Sequence, residues 1–255
     1  MRRREKFIIV SVLLSLGLLA LQYIPLDWRY FGALALFVFS YLCSVWALFD
    51  DLQAHEWLTI TPFPALYAGS VALFYFLLPE VFWSRLFIVA IFGIGMYALL
   101  LTSNIFSVAK GRTIQLLYAA HAVALFFIMI TSLLFSNVIF SLRLPFYFNA
   151  GLLFVSHFPL VLSALWSIEL KQKIEKDIIL YSMIFSLFLA ELAMLFSFLP
   201  MQIWNQALFI MSFLYVGLSV LQSFFKGRLF KNTINEYNLV AILMVILFIL
   251  MFPLK

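Results

Sequence analysis

IQLLYAAHAVALFFIMITSLLF, residues 114–135, is a run of 22 residues without a single Asp, Glu, Lys or Arg. About 20 such residues in a helix, rising 1.5 Å each, are what it takes to cross ~30 Å of hydrocarbon. A soluble fold would have to hide every face of that segment, whereas a bilayer covers its flanks and leaves only the backbone to be satisfied, which a helix does internally. On both sides of it the pattern recurs. Further apolar stretches occupy Phe7–Ile24, Tyr30–Phe49, Leu58–Leu78, Arg85–Thr102, Phe146–Ile168, Ile178–Leu199, Trp204–Phe225 and Leu239–Pro253, and most of the charges fall in the gaps.

Composition agrees. Hydrophobic residues form 66% of the 255-residue chain and charged residues 11%, with 31 Phe, 11 Tyr and 6 Trp. Soluble domains average about 45–50% apolar and about 25% charged residues. The expected fold is an all-α, polytopic transmembrane helix bundle of about nine spans, forming one integral membrane domain over residues 1–255, because no loop is long enough to fold by itself. The lipid bilayer is then the first partner. Segment 226–238 places Phe230, Ile234 and Tyr237 on one helical face, so it reads either as an interfacial helix or as an extension of the last span.

Sidedness follows from counting Lys and Arg in alternate gaps. Arg2, Arg3, Arg4 and Lys6, Lys110 and Arg112, Lys171, Lys173 and Lys176, and Lys226, Arg228 and Lys231 make twelve on one side. Arg29, Arg85, Arg143 and Lys255 make four on the other, which completes the 16 basic residues. The N-terminus is expected in the cytoplasm, the C-terminus outside, and the protein in the inner (plasma) membrane of a bacterium. Trp28, Trp83 and Trp204 fall at expected outer boundaries, with Trp57 and Trp166 at inner ones, as headgroup anchors. The basic N-terminus also resembles a signal peptide, but no small-residue cleavage site follows near Leu21–Pro25, so an uncleaved first span is expected. The net charge of +5 is spread over short loops and gives no nucleic-acid signal. Cys43 alone permits no intrachain disulfide.

A few polar residues sit where they cost free energy. Glu191 lies inside the seventh span with Leu187, Phe188, Met194, Leu195 and Phe198 on its face, and no i±3 or i±4 neighbour can pair with it. An acidic or basic residue there costs about 2.5–3.5 kcal/mol on insertion scales. Beside it Ser186, Ala190, Ala193 and Ser197 form a small-residue stripe that invites close packing, so Glu191 is expected to border a helix–helix seam, either bonding across it or serving a proton or substrate site. His157 precedes Pro159, which frees the carbonyl of Val155 and predicts a kink. His121 lies in the fifth span. Two histidines on adjacent spans bring bis-histidine haem to mind, but their depths differ by about one turn, and no cofactor or metal is expected. Asp50, Asp51, His55 and Glu56 form an acidic inner loop, either solvated or, with substrate phosphates, able to hold Mg²⁺.

No HExxH, GxSxG, Walker A or dinucleotide-binding glycine pattern is present. Segments Trp46–Leu52, Glu56–Thr59, Met96–Leu100 and Arg112–Leu117 make the chain resemble a family of multi-pass bacterial membrane proteins of unknown function, which implies the bundle and no activity. In topology it is also similar to the membrane prenyltransferases of ubiquinone-type biosynthesis. That resemblance implies nine spans and aspartate-rich second and sixth loops that hold Mg²⁺ and a diphosphate. Here those loops are Asp50–Glu56 and Glu169–Asp177. The NDxxDxxxD pattern is not met, since Phe49 stands where Asn belongs, and the sixth loop lacks DxxxD. The leading expectation is a non-enzymatic structural, assembly or partner subunit that meets another membrane protein. The alternatives are a proton-coupled or small-solute transporter using Glu191 and His157, and an isoprenyl-diphosphate-modifying enzyme using Asp50, Asp51 and Glu56.

Overall fold

The computed structural model describes residues 3–49, 52, 56–79, 81–109, 116–171 and 173–251. Among them the elements are helical: α1 Arg3–Ala20, α2 Arg29–Leu48, α3 Glu56–Thr59, α4 Pro62–Tyr75, α5 Phe82–Val108, α6 Leu116–Ser141, α7 Phe146–Glu169, α8 Lys176–Ser197, α9 Ile203–Phe225 and α10 Lys231–Met251, with short 3₁₀ turns at Leu21–Tyr23 and Leu26–Trp28. Among the described residues eight candidate spans are long and apolar enough to cross a membrane, with Glu56–Tyr75 counting as one. In α10 the apolar part is the shorter Ile234–Leu250. Residues 231–238 are therefore the first turns of one continuous helix rather than a separate interfacial one. The chain divides into two compact units, Met1–Thr131 and Ser132–Lys255, and the division falls inside α6.

In the first unit α1 packs on α2 and α5, and α4 packs on α2 and α5. α4 is apolar all round and correspondingly buried on nearly every face, including Ala65, Ala68, Gly69, Ser70 and Ala72. Those small side chains let neighbours approach: a Cβ on Gly69 would lie 3.1 Å from Phe37 Cδ2. The expected continuous span Leu58–Leu78 is broken at Ile60–Thr61. Pro64 has no N–H to offer, and its ring would collide with the carbonyl of Ile60 in a continuous helix. Pro62 instead begins α4, a position where a missing N–H is harmless. α5 starts earlier and ends later than expected, at 27 residues or about 40 Å, so its last turns reach past the hydrocarbon.

In the second unit α7 packs most extensively on α8 and also touches α9, while α10 packs on α9. The small-residue stripe of α8 is the packed face: Ser186 and Ala193 are fully enclosed and Ala190 nearly so. Asn149 Nδ2 on α7 donates to Ser197 Oγ on α8 at 3.0 Å, which ties the start of one helix to the end of the next. α10 buries little beyond Met244 and lays Phe248 against Phe209, ring centroids 5.0 Å apart.

Four of the five tryptophans assigned as anchors, Trp28, Trp57, Trp83 and Trp204, are exposed as headgroup-level rings should be. Trp166 is the exception. It is only 1% exposed, and its indole N–H donates to the Lys171 carbonyl at 3.3 Å, so it closes the end of α7. Trp46, not assigned as an anchor from the sequence, is exposed with Lys6 Nζ 5.8 Å over its ring.

Candidate functional site

Glu191 borders the packed face of α8, where Ala190 is buried beside it, but its side chain does not enter that face. Its side chain is exposed, on the stripe of α8 that also exposes Ile184, Leu187, Phe188, Leu195 and Phe198. The buried small-residue stripe faces α8's neighbours within the unit, and the carboxylate stands outside that contact. Glu191 is six residues from the end of α8, about 9 Å along the axis. Helical side chains tilt toward the N-terminus of their helix. That tilt carries the carboxylate deeper into the apolar stripe and away from the nearer helix end, which works against snorkelling to water.

His157 has the opposite surroundings. It is 0% exposed. Ser132 Oγ lies 2.8 Å from Nε2, and Nδ1 lies 3.0 Å from the Leu153 carbonyl and 3.0 Å from Ser156 Oγ. A neutral ring with its proton on Nδ1 satisfies this set: Nδ1–H donates to the Leu153 carbonyl and the Ser132 hydroxyl donates to Nε2. Glu191 and His157 are thus not brought together at one site. His121 is half-buried, with Nδ1 2.8 Å from the Leu117 carbonyl one turn back and its ring against Phe106.

Of the acidic loop, Asp50, Asp51 and His55 lie outside the described residues. Glu56 is 0% exposed, and its Oε2 accepts the Ser107 hydroxyl at 3.1 Å. The start of α3 and the end of α5 therefore meet at one end of the first unit, and Glu56 is turned into the protein rather than toward a surface ligand. Among the described residues no three His, Cys, Asp or Glu side chains gather closely enough to hold a metal ion. In the sixth loop Lys171 bridges Glu175 at 2.6 Å and Glu169 at 3.0 Å. Those two carboxylates, Glu175 first, hold the exposed ammonium's pKa above the ordinary lysine value.

The opposite end of the first unit holds an arrangement that sequence reasoning missed. Arg29 opens α2 and Arg85 lies in the first turn of α5, and both line a small polar cleft with Gln22, Tyr75 and Phe76. Arg29 Cζ is 5.5 Å from the Phe76 ring centroid and Arg85 Cζ is 5.7 Å from that of Tyr75. Tyr75 donates its hydroxyl to Gln22 Oε1 at 3.4 Å. In the sequence these arginines entered only as topology markers. The readable signal was that each begins a helix on the same side, two gaps apart.

Compared with known protein families, curated proteins and solved structures, the chain matches none.

Proposed function

We propose that this multi-pass membrane protein is a non-enzymatic partner or assembly subunit, and that the exposed face of α8 centred on Glu191 receives a transmembrane helix of another membrane protein. The observation that carries this reading is the exposure of Glu191 on a stripe otherwise made of Ile, Leu, Phe and Met. Intramembrane carboxylates are rare and almost always pair with another group or face a cavity. In this chain Glu191 faces outward, so a donor on a partner helix is the group that would make the position affordable. The resemblance to multi-pass bacterial proteins and the excess of basic residues on the N-terminal side support a bacterial inner membrane with the N-terminus in the cytoplasm.

Transport through Glu191 and His157 has no observation in its favour, because one residue is exposed on an apolar face and the other is sealed in a hydrogen-bonded pocket. Isoprenyl-diphosphate chemistry is disfavoured by the placement of Glu56, buried against Ser107, and by the use of Glu169 and Glu175 to hold Lys171.

The test is Glu191→Leu in the native membrane, followed by mild solubilisation and native gel sizing with mass spectrometry. The reading expects the folded yield of the chain itself to hold or rise, since an insertion cost of about 2.5–3.5 kcal/mol disappears. It also expects a co-migrating membrane protein to be lost. A fall in folded yield would assign Glu191 to the chain's own packing instead, and an unchanged complex would overturn the partner reading of the α8 face.

A further inference from the structure

We propose that the first unit binds an anionic phospholipid at the end where α1 finishes, with the phosphate held by Arg29 and Arg85 and one acyl chain lying in the groove between α1 and α5. The polar half of the site is the cleft just described. Its free volume is about 30 Å³, room for one or two water-sized groups, so phosphate oxygens enter it while the rest of a headgroup remains outside. Arg29 lies over the Phe76 ring and Arg85 over the Tyr75 ring, and a guanidinium held over an aromatic face can still direct N–H donors at phosphate oxygens. A guanidinium carries five N–H donors, so a phosphate does not have to displace the contacts Arg85 already makes. Gln22 accepts from Tyr75 through Oε1, which leaves its amide nitrogen as a further donor. Both arginines also belong to helix starts, where unpaired backbone N–H groups and the helix dipole favour an anion. Asp27, in the turn before α2, is exposed.

The apolar half is a groove of about 480 Å³ along α1 from Ile8 to Leu19 and along α5 from Leu86 to Tyr97. From the first to the last of these twelve helical residues the axis rises about 16 Å, close to the ~15 Å of one leaflet's hydrocarbon. Its lining is almost wholly apolar for a definite reason. Ser11 donates back to the Phe7 carbonyl and Ser15 to the Ser11 carbonyl, each at 2.8 Å, so neither hydroxyl needs water. Ala90 and Gly93 keep the α5 wall low. The far end of the groove, at Leu19 and Leu86, lies three residues from Gln22 and next in sequence to Arg85. A chain descending from a phosphate in the cleft therefore starts at the end of the unit where the groove ends, and the groove is of the right length for it. Two cations at the end of the unit where an apolar groove finishes favour an anionic lipid over a free anion or a partner helix.

The full chain, purified in a maltoside detergent, is to be melted with phosphatidylglycerol, with phosphatidylcholine of the same acyl chains, and with inorganic phosphate. Phosphatidylglycerol should raise Tm more than phosphatidylcholine does, and inorganic phosphate should raise it little, because a ligand bound to the folded state stabilises it by mass action. The phosphatidylglycerol increment should vanish in Arg29→Gln/Arg85→Gln and persist at least in part in Arg29→Lys/Arg85→Lys. Ala90→Phe, which fills the groove from its exposed side, should reduce the increment with both arginines intact. Equal effects of the two lipids, a full effect of inorganic phosphate alone, or an increment that survives in the glutamine variant would each overturn the proposal. Should the glutamine variant not fold, an undiminished increment in Ala90→Phe would do so.

Discussion

Burial separates the two polar residues that hydropathy alone made equivalent. Both Glu191 and His157 interrupt apolar spans, but only His157 is paid for inside its own unit, by Ser132 and the Leu153 carbonyl. Buried polar groups are costly chiefly when one partner is removed and the other is stranded. His157→Leu removes both bonds and strands the Ser132 hydroxyl, while the Leu153 carbonyl keeps the Ser156 hydroxyl; it is expected to lower stability by about 1–2 kcal/mol, the upper part of the range for interhelical bonds in membranes. Thermal unfolding of the purified chain checks this, and Ser132→Ala should cost less because it strands only Nε2. Glu56 follows the same rule at the bundle end: Glu56→Gln keeps an acceptor for the Ser107 hydroxyl, whereas Glu56→Leu leaves that hydroxyl buried without it. The glutamine variant is expected to melt close to the parent and the leucine variant lower, by about 1–3 kcal/mol. Identical melting of the two would show that the Ser107 bond contributes nothing. The sequence marked these positions as expensive. It could not say which face each occupied, because that depends on which neighbouring helix arrives, and hydropathy carries no information about partners.

Among the helices, the small-residue stripe of α8 was legible in the sequence. Ser186, Ala190, Ala193 and Ser197 recur at helical spacing, and close packing in lipid depends on such residues because no water drives the helices together. The break between α3 and α4 was equally present in Pro62 and Pro64, although the apolar run hid it. Less legible was the constraint on α5. A Cβ on Gly95 would stand 2.5 Å from the Tyr67 hydroxyl and 2.9 Å from Phe127, and Tyr67 is itself packed between Phe92 and Phe127, ring centroids 5.6 and 5.3 Å away. Gly95→Val must therefore push apart a core that has no slack. Overpacking of this kind costs about 1–3 kcal/mol, and the expected readout is a lowered melting temperature. Gly151→Val on α7, where an added Cβ meets nothing within 4 Å, is the size-matched control and should not lower melting. A glycine in an apolar run signals close approach only in general terms, and the identity of the ring that approaches needs the fold.

The two units each show at their ends that successive helices run in opposite directions. In the first, the cleft gathers Gln22 after α1, Arg29 at the start of α2, Tyr75 at the end of α4 and Arg85 at the start of α5, while Glu56 and Ser107 meet at the other end. In the second, Asn149 at the start of α7 meets Ser197 at the end of α8, and Gln206 at the start of α9 donates to the Phe196 carbonyl at 2.8 Å. This alternation is the premise on which the twelve-to-four division of basic residues rests, and it was readable because charges are excluded from the hydrocarbon. The weakest crossing is the last. α10 has 21 residues, about 31 Å, enough to span ~30 Å, but its apolar part is only Ile234–Leu250 and it packs on α9 with most of its side chains exposed. If α10 crosses, the chain makes nine passes and its ends lie on opposite sides. Reporter fusions active only outside the cytoplasm should then be silent after Lys173 and after Arg228, and active after Arg143, after Met201 and at the C-terminus. A silent C-terminal fusion with the four internal results unchanged would leave eight passes and place α10 against the inner surface. Reversal of the internal results would invert the whole assignment, because every loop's side follows from the same count of Lys and Arg.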